Sequence, residues 1–202
     1  MKRDDLTKGE KRKAYAFFTI IILATIIFLI VVIAMIVDSV KINSYKDIER
    51  RGLTITGQEM FSLQAGDYYI FIYSSDKSNN KIDLEKQDAL EPYVANYFTF
   101  VKQNKNKKGV CEIRMMDVAN KKNASCLDTT TTTEAKEWNE FKVEPAKLPA
   151  LIYMVVNESN GKLTYSYDMF TKEGDIKSNL SHSISSAQEV WYIPPKKESI
   201  EA

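Results

Sequence analysis

The sequence predicts an α/β fold: a mixed four-stranded sheet flanked by helices and preceded by one transmembrane helix. Three observations carry that reading. Residues 14–37 hold no charged side chain and are dominated by Ile, Leu, Val, Phe and Ala. Residues 68–73 (YYIFIY) are β-branched or aromatic throughout, the pattern of a short strand buried on both faces. Asn160-Gly161 separates two strand-like stretches in the manner of a tight hairpin turn.

The apolar segment comes first in the chain. At about 1.5 Å per residue, residues 14–37 reach roughly 36 Å, enough to cross a hydrocarbon core of about 30 Å with some tilt. A cleaved signal peptide has a shorter apolar region and a small-x-small cleavage site, and Ile36-Val37-Asp38-Ser39 offers a poor one. The expectation is therefore an uncleaved anchor contacting the bilayer through residues 14–37. Residues 1–13 carry six Lys/Arg against three acids, so they read as a cytoplasmic basic tail. Everything after the helix is then extracytoplasmic. That part divides into a linker at 38–53, a folded domain at 54–190 and a flexible tail at 191–202. It holds 22 basic and 24 acidic residues, a near balance that gives no reason to expect a nucleic-acid surface.

Within the domain, Thr56 and Glu59 have capping-box spacing ahead of a short helix over about 57–64. The strand at 68–73 leads into a polar loop at 74–81. Leu90, Tyr93, Val94, Tyr97 and Val101 recur at helical spacing, which predicts a helix over 88–103 with Asp88 as N-cap and Pro92 near its start. Residues 110–116 alternate as a second strand. A polar connection over 118–133 ends in five Thr, and 134–141 reads as a short helix. A Pro-entered strand at 150–156, the Asn160-Gly161 turn, a strand at 162–168 and a helix over 172–188 complete the order. The first half forms a parallel crossover and the second an antiparallel hairpin with a closing helix.

In this order, GDYYIFIYSS, ALEPYVANYF, FKVEPAKLPALIYMV and NGKLTYSY make the chain resemble the thioredoxin-like superfamily. They match, in turn, the family's central strand, the helix after its active-site loop, the segment with its cis-proline and its terminal hairpin. The resemblance spans about residues 54–185 and implies that Pro149, after Leu148, is the cis-proline. It also implies a groove for an extended peptide beside Leu148 and Pro149 and the loop Ser74, Ser75, Asp76, Lys77, Ser78 and Asn79. The departure is the redox motif. The family's Cys-x-x-Cys stands where a helix N-terminus favours thiolate. Counted from the strand those positions fall near Asp76 and Asn79; counted back from Glu91-Pro92 they fall near Leu84 and Gln87. Neither count meets a Cys.

Two cysteines exist, Cys111 in a strand and Cys126 in the following loop. Three readings stay open: a structural disulfide, two unpaired thiols, or a catalytic pair. A bridge would close a loop of about 15 residues, worth roughly 3 kcal/mol in the chain-entropy model. His182 is the only histidine, which excludes multi-histidine metal sites, and it reads as a surface residue. No glycine-rich phosphate loop occurs. Tyr165 and Tyr167 share one face of their strand and could line a groove. No catalytic residue, metal or cofactor is expected. The expected function is a membrane-tethered, redox-inactive module that binds proteins or extended peptides at the outer membrane face. A thiol-disulfide oxidoreductase using Cys111 or Cys126, and a non-catalytic subunit of a membrane complex, are the alternatives.

Overall fold

A computed structural model describes residues 8–191, which fall into two compact units divided after Lys41. The first is one helix, α1 (Lys8–Val40), in which Tyr15–Ile33 has a mean hydropathy of 3.2. An apolar helix of this length at this place fits a signal anchor or a signal peptide. Two of its hydroxyls are bonded within the helix: Thr19 donates to the Tyr15 carbonyl (2.8 Å) and Thr25 to the Ile21 carbonyl (2.9 Å).

The second unit is α/β. Its elements are α2 (Tyr45–Arg50), α3 (Gly57–Met60), β1 (Gly66–Tyr73), α4 (Leu84–Asn104), β2 (Glu112–Asp117), β3 (Ala150–Ser159), β4 (Lys162–Phe170) and α5 (Glu173–Trp191). The four strands form one sheet in the order β2-β1-β3-β4. β1 runs parallel to β2 and antiparallel to β3, and β3 and β4 are antiparallel across Asn160 and Gly161. Both turn residues have positive φ, 53° and 72°, as a two-residue type I′ hairpin requires.

β1 separates two apolar clusters. Tyr69, Phe71 and Tyr73 face Leu90, Val94, Tyr97 and Phe98 of α4 and Ile176 and Leu180 of α5. Ile70 and Ile72 face the other way, toward Phe141, Val143, Leu148 and Met60. Every residue from 69 to 73 is buried, so the alternation that usually marks a half-exposed strand is missing. Lys177 lies 4.5 Å from the centroid of the Tyr93 ring and fastens α5 to α4.

Residues 42–53, expected as a linker, belong to the folded unit. Ile42, Tyr45 and Ile48 are buried in the helix-side cluster, and Tyr45 stacks on Phe71 with ring centroids 5.6 Å apart. The Tyr73 hydroxyl donates to the Glu49 carboxylate, and Tyr45 donates to the Gln87 carbonyl at 2.8 Å. Three apolar side chains at helical spacing amid charges are enough to dock one short helix.

Other boundaries differ for local reasons. α4 starts at Leu84, four residues before the expected 88, because Asp83 rather than Asp88 caps it, accepting from the Lys86 amide at 2.9 Å. Pro92 therefore lies inside the helix. The expected helix at 134–141 is a loop with one turn. Thr132 pairs with Lys142 (backbone 3.0 Å, hydroxyl 2.8 Å), and this cross-link folds the segment back before a helix can propagate. The short helix after Thr56 ends at Met60, and its capping box is present. Pro194-Pro195 and the rest of the expected tail beyond Trp191 lie outside the described residues.

Ile48→Ala should lower unfolding stability by about 2–5 kcal/mol, as for other buried aliphatic truncations, in a denaturant titration. A linker residue would leave the midpoint unchanged. Burial raises the pKa of Tyr45, Tyr69, Tyr73 and Tyr97, to about 12 for Tyr69, from an ordinary 10.0. The unfolded chain thus loses those protons first, so stability is full below about pH 10 and falls as pH rises. A late set of tyrosines should ionise, by phenolate absorbance, only as the circular dichroism signal disappears. Complete tyrosine ionisation in a still-folded chain contradicts this.

Candidate functional site

The sequence reading points to the first turn of α4 and to the loop before it. Leu84 opens the helix, so the count back from Glu91-Pro92 lands on its first turn and the count on from the strand lands in the preceding loop. Gln87 points inward and is buried. Its carbonyl accepts from the Ser74 amide at 3.0 Å and its amide donates to the Ser74 carbonyl at 2.9 Å. This clasp pins the end of β1 to α4, and Ser74 is buried with it.

The loop after Ser74 is held by its own polar groups. Ser75 donates from its amide and hydroxyl to Asp117 at 2.9 and 2.6 Å. Asp76 accepts from the amide and hydroxyl of Ser78 at 2.9 and 2.6 Å, which lowers its pKa. The Asn79 carboxamide accepts from the Lys81 amide at 3.1 Å. Lys77 pairs loosely with Asp88 at 3.8 Å, both well exposed. Ser75, Asp76, Lys77 and Ser78 face solvent and Asn79 is half-buried.

Leu148 and Pro149 are both buried, and the peptide bond between them is cis. The Leu148 amide donates to the Pro145 carbonyl at 3.1 Å. Their side chains therefore belong to the core, which leaves the backbone beside them as what could face a peptide. Lys86, in the first turn of α4, bridges the parts. Its ammonium donates to the Thr171 carbonyl at 3.0 Å and lies 3.5 Å from the Lys147 carbonyl. Burial lowers its pKa, while Asp83 and Glu173 oppose that shift. The helix start, the segment before Pro149 and the entry to α5 thus meet at one amine.

Sequence reading missed Lys86 and Thr171. Nothing in a lysine four residues before Leu90 marks it, and only the helix boundary at Asp83 reveals that it sits in the first turn. This corner offers an ammonium and backbone carbonyls, and no thiol or hydroxyl paired with a base.

The two sulfurs lie elsewhere. Cys111 packs against the helix-side cluster and Cys126 is buried in the opposite one, so the sheet stands between them. Both are free, and the disulfide considered from sequence is not formed. Burial pushes each thiol up to about 12; Asp67 adds to the shift at Cys111, and Lys142 opposes it at Cys126. At neutral pH both are overwhelmingly protonated and poor nucleophiles. His182 is exposed on α5, with its Nε2 3.3 Å from the Ser186 hydroxyl. Among the described residues no group of three or more His, Cys, Asp or Glu side chains is placed to hold a metal ion.

Tyr165 and Tyr167 do share a face of β4. Tyr165 meets Phe61 edge-on at 5.5 Å, and Tyr167 donates to the Thr132 carbonyl at 3.0 Å. Beside them a cleft of about 690 Å³ runs along β4, bounded by Thr132, Lys136, Lys147, Ser166, Asp168 and Thr171, among others. It shares Lys147 and Thr171 with the Lys86 corner.

Comparison of the chain with protein-family models, with curated proteins and with solved structures finds no match. The site is therefore read from its own chemistry.

In the folded chain at neutral pH, iodoacetamide should modify neither Cys111 nor Cys126, whereas in denaturant it should modify both. Rapid modification of either without denaturant contradicts the full burial of Cys126 and the partial burial and raised pKa of Cys111.

Proposed function

We propose that the chain is a membrane-tethered, extracytoplasmic thioredoxin-like domain that binds proteins or extended peptides without thiol chemistry. The tether is α1, and the basic residues ahead of it favour a cytoplasmic N-terminus. The sheet order β2-β1-β3-β4, with one parallel and two antiparallel pairings, supports the thioredoxin-like reading. The cis Leu148-Pro149 bond stands where the resemblance puts it. The observation that carries the functional reading is the Lys86 corner. The first turn of α4 and the segment before Pro149 come together there, and a lysine and a core glutamine occupy the turn in place of thiols.

Binding needs only accessible surface around that corner: the exposed Ser75, Asp76, Lys77 and Ser78 on one side, and the half-buried Lys147 and Thr171 on the other. An extended peptide there would meet the ammonium groups of Lys77, Lys86 and Lys147, which can donate to its backbone carbonyls and suit main-chain recognition over a strict side-chain code. The oxidoreductase alternative is disfavoured by two thiols that are separated by the sheet and held protonated.

The test uses the full chain in lipid nanodiscs and a fluorescent unfolded protein, reduced and carboxymethylated lactalbumin, read by anisotropy. Lys86→Met keeps the apolar stem and removes the charge. It should weaken binding roughly 5- to 10-fold, the loss of one charged hydrogen bond of about 1–1.4 kcal/mol, with the circular dichroism spectrum unchanged. Undiminished binding by Lys86→Met and by Lys77→Glu would remove this corner as the site.

A further inference from the structure

The two edges of the sheet are finished differently. β2 is covered: the Ile55 amide donates to the Met115 carbonyl at 2.9 Å, and the Met115 amide donates to the Leu53 carbonyl at 3.1 Å. β4, the other edge, pairs only with β3; among the described residues no other backbone group bonds to its backbone, and the Tyr167 side chain alone reaches the Thr132 carbonyl. Its hairpin also overhangs the sheet. β1 reaches β3 only as far as Val156, so residues 157–164 project past it with their charged and hydroxyl side chains exposed.

The register shows which groups β4 offers. A two-residue hairpin closes on a hydrogen-bonded pair, here Ser159 and Lys162, and such pairs alternate along an antiparallel ladder. Lys162, Thr164, Ser166 and Asp168 therefore bond inward to β3. Leu163, Tyr165, Tyr167 and Met169 turn their amides and carbonyls outward. An open row of this kind is a template for another strand.

The side chains of β4 select which strand. We propose that β4 pairs antiparallel with β4 of a second copy of this chain, about a two-fold axis at Tyr165. That register makes Tyr165 face its own equivalent and Leu163 face Tyr167, all outward-bonding positions, so the new ladder has its hydrogen bonds where β4 has spare groups. On the other face Thr164 meets Ser166, and Lys162 meets Asp168 of the second copy. Opposite-charge and hydroxyl pairs directly opposed across a ladder stabilise it. Within one chain Lys162 and Asp168 are six residues apart on a strand, about 20 Å, too far to pair. Among the described residues neither belongs to an ion pair. The two charges are symmetric about Tyr165 and find partners only across the two-fold axis.

The cleft agrees with this occupant. Residues from both faces of β4, Tyr165 and Tyr167 on one and Ser166 and Asp168 on the other, line it, so it opens on the edge of the strand. In the proposed register that stretch faces residues 161–165 of the second copy, the protruding hairpin tip. Two copies joined in this way form one continuous eight-stranded sheet. Confinement of both copies to one membrane would raise their effective concentration for so small an interface.

The experiment uses two differently tagged full-length copies expressed together in membranes, one carrying Thr164→Cys and the other Ser166→Cys. Opposed non-hydrogen-bonded residues stand about 4.5 Å apart at Cα, within disulfide reach. Mild oxidation should link the mixed pair strongly, and either substitution alone several-fold less. Lys162→Asp or Asp168→Lys in both copies should suppress the link several-fold, and the double exchange should restore it. Three results overturn the proposal: no mixed link, a link unaffected by the charge exchange, or a stronger link from Ser166→Cys alone. So does a monomeric chain whose β4 amides gain protection only from an added unrelated peptide. Circular dichroism of each variant separates misfolding from loss of pairing.

Discussion

Burial of β1 on both faces is the constraint on which the rest of this structure depends. A strand with Tyr69 to Tyr73 wholly enclosed needs cover above and below, and the chain supplies two different kinds. On one side α2, α4 and α5 bring an aromatic and aliphatic surface around Tyr45, Tyr97 and Leu180. On the other a long irregular connection brings Phe141, Val143 and Leu148. That irregular layer stays in place because its polar groups are spent on one another. Thr131 accepts from the Glu144 amide at 3.1 Å, and Asn123 joins the Asp117 carbonyl to the Gly57 amide at 2.8 and 2.9 Å. A run of threonines that looks like a solvated thread in the sequence is in part a set of hydrogen-bonding pins.

The same constraint shapes the site. β1 ends at Tyr73, and Gln87 clasps the next residue, so the start of α4 has a fixed distance from the sheet. Lys86, one residue earlier, is then carried to the carbonyls of Lys147 and Thr171. The site follows from the core in this sense: the inward residue of the first turn is structural and its neighbour faces the corner. The thiols fall on the far sides of the core instead, where burial keeps them protonated.

Much of the architecture was legible because it rests on local composition and short-range spacing. The apolar helix, the YYIFIY strand, the Asn160-Gly161 hairpin and the Thr56/Glu59 capping box each carry a local signal that tertiary context left alone. What escaped depends on choices between neighbours of equal local merit. Asp83 and Asp88 are both good caps, and only packing of Ile82 and Gln87 decides for the first. Residues 134–141 have helical composition, yet Thr132 and Lys142, ten residues apart, pair through backbone and hydroxyl bonds that no residue pattern announces. Ile42, Tyr45 and Ile48 look like stray apolar groups until the aromatic surface of β1 is known. For the site, the absence of a Cys-x-x-Cys could be read directly, whereas Lys86 could not.

Hydrogen exchange on the full chain in nanodiscs, with and without an unfolded protein ligand, tests the account most directly. The account places the slowest amides in β1 and β3 under both conditions. It places ligand-induced protection at residues 74–84 and around Lys147 and Thr171, on the two sides of the Lys86 corner. Fast exchange in β1 would contradict the doubly buried strand, and protection appearing only elsewhere would contradict the site built upon it.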